Sequence, residues 1–299
     1  MMHEVLIMTM SYMHGGYCVT GIDKDNGEWV RLKYRNKKSF PTDCCFYCDK
    51  SKMELLDTIV VDYVERCPQE LQPENVLIQG IRQIKGKDSL KDVFFNRLRK
   101  DKYDRIYYNT SHKLYADEFP KEAHDQPYSL MLIKPERAEL VDAGWEYGKK
   151  KYYMNVYYNG CVYENLRVTD PDVIKIIQDY GTNLNEGNIY LVISLGELFK
   201  NDFSAREEHY KLVASIITDK MIEEKMLENR LRTIADLIDD KNWLFPIRVQ
   251  KYNWTTDYYF VIEKADRTHA YGKTYKGKDV YNDNETRLLT EDKFKFHEW

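Results

Sequence analysis

Trp29, Arg31, Lys33 and Arg35 recur at every second position, so a strand here gathers an indole and three cations on one face. Val30, Leu32 and Tyr34 take the other face. Such a surface offers a base something to stack on and a phosphate something to pair with. Tyr17, on the strand before the Asp25-Asn26-Gly27 turn, is counted with them; residues of that turn accept the positive φ a tight hairpin requires. The competing reading is a solvated outer strand face or a surface for a protein partner.

Two further stretches carry the same chemistry. Lys149, Lys150 and Lys151 precede Tyr152, Tyr153, Tyr157 and Tyr158. Paired tyrosines in a strand put one ring on each face, so at most half form an exposed platform; Lys151, Tyr153 and Tyr157 are the candidates. Near the end of the chain, Lys264, Arg267, His269, Tyr271, Lys273, Tyr275, Lys276 and Lys278 surround Gly272 and Gly277. Interleaved rings and cations with backbone freedom suit a loop that clamps a phosphate strand, and Arg267, Lys273, Tyr275 and Lys276 are assigned to it.

Catalytic signatures are missing: the chain holds no GxxxxGK[ST], HExxH or GxSxG, and no GxGxxG after a strand. Asp57, Asp62 and Glu65 could feed a metal-dependent nuclease site, but Asp62 has the opposite strand parity to the other two. Cys44, Cys45 and Cys48 form one CxxC with Cys67 and His14 as remote partners. A structural zinc site typically shows two close pairs, so the thiols are expected to be reduced, with no metal and no other cofactor. Net charge is −4 over 299 residues, which excludes a protein living on non-specific phosphate contacts; any nucleic-acid site must be a local patch. No apolar run approaches the roughly 18 residues of a membrane span, and a soluble cytoplasmic protein is expected. Tyrosine outnumbers phenylalanine 25 to 11, and suits half-wet recognition surfaces.

The elements that must position these residues read as mostly β with α. Strands are expected at 4–8, 17–22, 29–34 and 56–64, a helix from Leu90 to Tyr108, and a polar connection from 109 to 127. A clearer grammar follows. A strand at 129–133 precedes two strands flanking Asn159-Gly160, a strong hairpin signal. Thr169-Asp170-Pro171 then supplies a helix start, and strands follow at 190–195 and 210–217. Three strands, a helix and two strands is the order of an OB-fold. A helix over about 218–240, with Leu227, Leu231, Ile234 and Ile238 as its stripe, leads into a β-rich tail. The expected domains are a first OB-like barrel (1–85), a helical insert (86–127), a second OB-like barrel (128–217), and a helix plus β-rich extension (218–299).

The stretch Ser11 to Asp23 with Gly27 to Leu32 resembles the start of bacterial dual OB-domain proteins. Val168-Thr169-Asp170-Pro171, Ser194-Leu195-Gly196-Glu197 and His209 to Ala214 extend the resemblance over roughly residues 5–217. It implies two tandem OB-type barrels and, from the fold, nucleic-acid binding; the rings and cations above favour a single strand. It also implies a setting among systems suspected of defence against phage and mobile DNA. It carries over no catalytic residues. A protein-interaction scaffold is the alternative, and a hydrolase hidden in scattered acids the third reading.

Overall fold

A computed structural model describes the chain apart from residues 1, 46–51, 70, 84–89, 119–127, 147, 185–188, 200–206, 233–246, 252–257, 266–268, 289–293 and 297–299. The chain divides into two compact units: Met1–Ile84 with Ser89–Glu223, and Glu224–Trp299 with Lys85–Asp88.

The first unit opens with β1 (Met2–Met13), β2 (Gly16–Asp23), β3 (Trp29–Tyr34), β4 (Thr58–Arg66) and β5 (Asn75–Gln83). They close a barrel in the order β1-β2-β3-β5-β4, with β1 also paired to β4 and β3 parallel to β5. Val5, Ile7, Met10, Val19, Val30, Leu32, Ile59, Val61, Val76 and Ile78 fill it. A bulge between Ile7 and Thr9 resets the parity of β1, which is why Met10 rather than Thr9 points inward. Gly21 is required where β1 and β2 close: an added Cβ would lie 2.4 Å from the Leu6 carbonyl oxygen. Strand β5 escaped the sequence pattern because Pro68, Pro73 and Gly80 break up its neighbourhood.

Next come α1 (Leu90–Lys100) and β6 (Lys113–Tyr115), then β7 (Leu130–Ile133), β8 (Arg137–Glu146), β9 (Lys149–Tyr158), β10 (Cys161–Val168), α2 (Val173–Tyr180), β11 (Ile189–Leu195) and β12 (Glu208–Thr218). The sheet runs β7-β11-β12-β10-β9-β8, with β10 parallel to β12. Pro135 breaks one long strand into β7 and β8, which flank the two ends of this order, so the second sheet repeats the connectivity of the first. Helix α2 falls between the third and fourth strands of that repeat and buries Val173 and Ile176 in its core. Strand β8 has no counterpart in the sequence pattern, and both helices differ from expectation. Helix α1 stops at Lys100 instead of Tyr108, and the connection after it holds β6, which pairs with β12. Thr169-Asp170-Pro171 does not cap α2; its N-cap is Asp172, without a side-chain bond. Asp170 instead accepts from the backbone N–H of Asp172 at 2.8 Å and of Ile216 at 2.7 Å, tying the loop to β12.

Helix α3 (Asp219–Arg230) crosses into the second unit and ends well before residue 240, because Leu231–Arg232 is a short strand, β13. Ile234 and Ile238 lie outside the described residues. With β14 (Ile247–Lys251), β15 (Tyr258–Ala265), β16 (His269–Lys276), β17 (Asp279–Leu288) and β18 (Phe294–Phe296) it forms a six-stranded sheet, β13-β18-β14-β15-β16-β17. The Gly-, Lys- and Tyr-rich tail is therefore mainly paired strand rather than a clamping loop. Gly272 shows the register: a Cβ there would lie 1.9 Å from the Val261 carbonyl oxygen.

Candidate nucleic-acid interface

The cationic face of β3 is real in its parity and wrong in its exposure. Trp29 is 7% exposed, its indole N–H donates to Asp101 Oδ2 at 3.0 Å, and the Arg97 guanidinium lies 5.7 Å from its ring centroid. Arg31 is 3% exposed. Its guanidinium donates to Glu74 Oε1 at 2.9 and 3.1 Å, to Ser129 Oγ at 2.8 Å, to Ser194 Oγ at 3.4 Å and to Cys18 Sγ at 2.9 Å. Burial alone would lower its pKa, but Cys18 and Glu74 beside it hold the cation above its ordinary value. Lys33 pairs with Glu197 at 3.6 Å, and Glu197 also meets His14 at 3.3 Å. Ser129, Ser194 and Glu197 belong to the second barrel or its margins, so this strand face is where the two barrels meet. Trp29 and Arg31 are thus removed from the list of ligand contacts: a period of two identifies a face without saying what covers it.

Two of the remaining first-barrel candidates stay accessible. Arg35, just past β3, is exposed and 3.8 Å from Glu65. Tyr17 is half-buried, stacked on exposed Tyr12 at 5.5 Å, with the Lys52 ammonium 5.9 Å from its ring.

The second barrel keeps its platform. Along β9, Tyr152, Met154, Val156 and Tyr158 are buried, while Lys151, Tyr153, Asn155 and Tyr157 are half-exposed on the outside. Pairing sets Tyr153 between Val141 on β8 and Arg167 on β10, and Tyr157 between Arg137 and Val162. Arg137 lies flat enough on Tyr157 to bring its guanidinium carbon 3.8 Å from the ring centroid, and it pairs with Glu139 at 3.2 Å. Partial burial and the charge of Arg167 push the Lys151 ammonium below its usual range. Arg167 lies opposite Tyr153 on β10, and Lys151 precedes it by two positions on the same face of β9. Trp145, 73% exposed, stands at the turn end of the β8–β9 hairpin opposite Lys150, which pairs with Asp142 at 2.8 Å. Arg137 and Trp145 were not singled out from sequence because β8 lacks clean alternation, broken by a bulge between Asp142 and Trp145; Arg167 lies on the expected strand β10 but was not picked out there.

In the second unit, Lys273 and Tyr275 are half-buried on one face of β16, with Lys273 paired to Asp283 at 3.2 Å and Tyr275 stacked on Tyr259 at 5.2 Å. Lys276 is exposed, its ammonium 5.3 Å from the Tyr258 ring. Arg267 lies outside the described residues. Among the cysteines, burial pushes the Cys45 thiol up to about 11 and raises Cys44 and Cys67 as well; Cys48 is not described. No helix among the described residues is long and apolar enough to cross a membrane.

No curated protein matches the chain. A family model described as the dual OB-containing domain matches residues 3–216, the stretch that holds both barrels. With a closed five-strand barrel followed by a sheet that repeats its strand order, each with one parallel pair, and a match over more than half of its length, the chain belongs to the dual OB-containing domain family.

Proposed function

We propose that the protein binds nucleic acid, single-stranded DNA or RNA, on the outer face of β8, β9 and β10. The observation that carries this is half-exposed Tyr153, directly opposite Arg167 on β10 and two positions from Lys151 on the same outer face of β9. Half-exposed Tyr153 and Tyr157 offer ring faces for bases, and stacking contributes about 1–3 kcal/mol per base whatever the sequence. A local patch also suits a chain of net charge −4. Arg35 and Tyr17 on the first barrel, and Lys273, Tyr275 and Lys276 in the second unit, are secondary contacts in this reading. The sequence resemblance adds a setting in bacterial defence against phage and mobile DNA, and the protein is placed in the cytoplasm in this reading.

A protein partner is the second reading, favoured by Val141, Val162 and Trp145, which are 39%, 43% and 73% exposed on or beside the same face. Titration of labelled single-stranded DNA, duplex DNA and RNA at two salt concentrations separates the two. Affinity for a single strand that falls with salt and with Tyr153→Ala supports the nucleic-acid reading. No affinity for any of the three at low salt assigns the face to a protein.

A further inference from the structure

His3 near the start of β1, Asp23 at the end of β2 and Asp25 in the β2–β3 turn converge at one end of the first barrel. One ligand atom from each lies within 4.8 Å of the others. His3 Nδ1 is 3.0 Å from Asp23 Oδ2 and 3.4 Å from Asp25 Oδ2. Although screened from solvent and this close to two carboxylates, Nδ1 makes no hydrogen bond. The two separations from Nδ1 bracket the roughly 3.3 Å edge of a tetrahedron of ligands at about 2.0–2.1 Å from a metal. The donors are held in place. The imidazole stacks on Tyr63 with centroids 4.0 Å apart and planes 15° apart. Asp23, 1% exposed, is oriented by the Asp25 backbone N–H at 3.0 Å on Oδ1, and by Asn26 Nδ2 and the Tyr63 hydroxyl, each at 3.4 Å, on Oδ2. Asp25 is mostly exposed, so the third ligand sits at the mouth and leaves room for water.

We propose that His3, Asp23 and Asp25 bind a divalent transition-metal ion of the zinc class, through one imidazole nitrogen and two carboxylate oxygens with solvent completing the shell. One neutral nitrogen and two anionic oxygens suit such an ion better than Mg²⁺ or Ca²⁺, which prefer all-oxygen shells. The bound ion would tie the beginning of β1 to the β2–β3 turn. The cluster escapes a sequence search because its residues lie 20 positions apart and match no spaced motif.

Co²⁺ titration of the full chain, read by visible absorption and thermal unfolding, tests this. The expected result is about one equivalent bound with no thiolate charge-transfer band, and a rise in Tm. His3→Ala and Asp25→Asn should each weaken binding at least 10-fold and cancel the rise. Asp25→Asn removes one exposed carboxylate and leaves Asp23 and its turn bonds in place, so loss of folding does not confound that variant. Absence of Co²⁺ binding by the wild-type chain overturns the proposal, as does binding that both variants leave unchanged. A thiolate band overturns it too, because the ion would then sit at the cysteines.

Discussion

Arg31→Met separates the inter-barrel role of β3 from a ligand-binding one. In the native chain the guanidinium supplies donors to Glu74, Ser129 and Ser194, and Ser129 itself hydrogen-bonds Glu74. Methionine fills much of the volume but leaves a 6% exposed carboxylate without its cation. Removing one partner of a buried ion pair costs about 3–5 kcal/mol. For a unit of this size, roughly 2–4 °C of Tm is lost per kcal/mol, so the expected fall is about 6–20 °C. The assay is urea and thermal unfolding followed by circular dichroism, paired with oligonucleotide titration of the folded fraction. Arg31→Met with Glu74→Met should recover most of the loss, since apolar replacement of both partners removes the stranded charge. Unchanged stability together with a salt slope flattened by about 0.7 would refute this reasoning, because that is the mark of a lost phosphate contact on a single strand.

Three other outcomes follow from the same structure. Trp29→Ala should destabilise by about 3–5 kcal/mol through the cavity and the lost indole bond to Asp101, which keeps Arg97 and the Leu132 N–H, without changing the affinity of the folded protein; denaturant titration and binding checked side by side decide it. Burial raises Asp170 to about 7 against its two backbone donors, so the folded state holds a proton that the unfolded chain has released. Stability should therefore fall as pH rises from about 4 to about 7, and Asp170→Asn should remove that dependence in unfolding curves measured across the window. Gly272→Ala should break the β15–β16 pairing, seen as lost amide protection in hydrogen exchange, because the added carbon would overlap the Val261 carbonyl.

The second barrel was legible because its signals are local. Asn159 and Gly160 both take the positive φ that a tight hairpin needs, and Gly181 closes α2 with its backbone N–H on Ile177. The alternation of β9 is equally local, and it puts Tyr153 and Tyr157 on the outer face that they occupy in the structure. What failed was long-range. Strand β3 alternates as an outer strand should, yet its polar face is covered by residues about 100 and 163 positions away, Ser129 and Ser194. A buried cation looks the same in sequence as an exposed one until its partner, here Glu74, is found 43 residues on. Strand β8 was missed because Pro135 cuts it from β7 and a bulge scrambles its parity, and Arg137 was missed with it.

The most direct test of the central claim is the salt-dependent affinity of the full chain for a labelled single strand, compared with Tyr153→Ala, Lys151→Ala with Arg167→Ala, and Arg31→Met. The account predicts that Tyr153→Ala weakens binding by about 1–3 kcal/mol at every salt concentration. The double cation variant should flatten the salt slope by about 1.4, and Arg31→Met should leave the slope of its folded fraction unchanged. Full wild-type affinity and slope in the first two variants, with the loss confined to Arg31→Met, would contradict it.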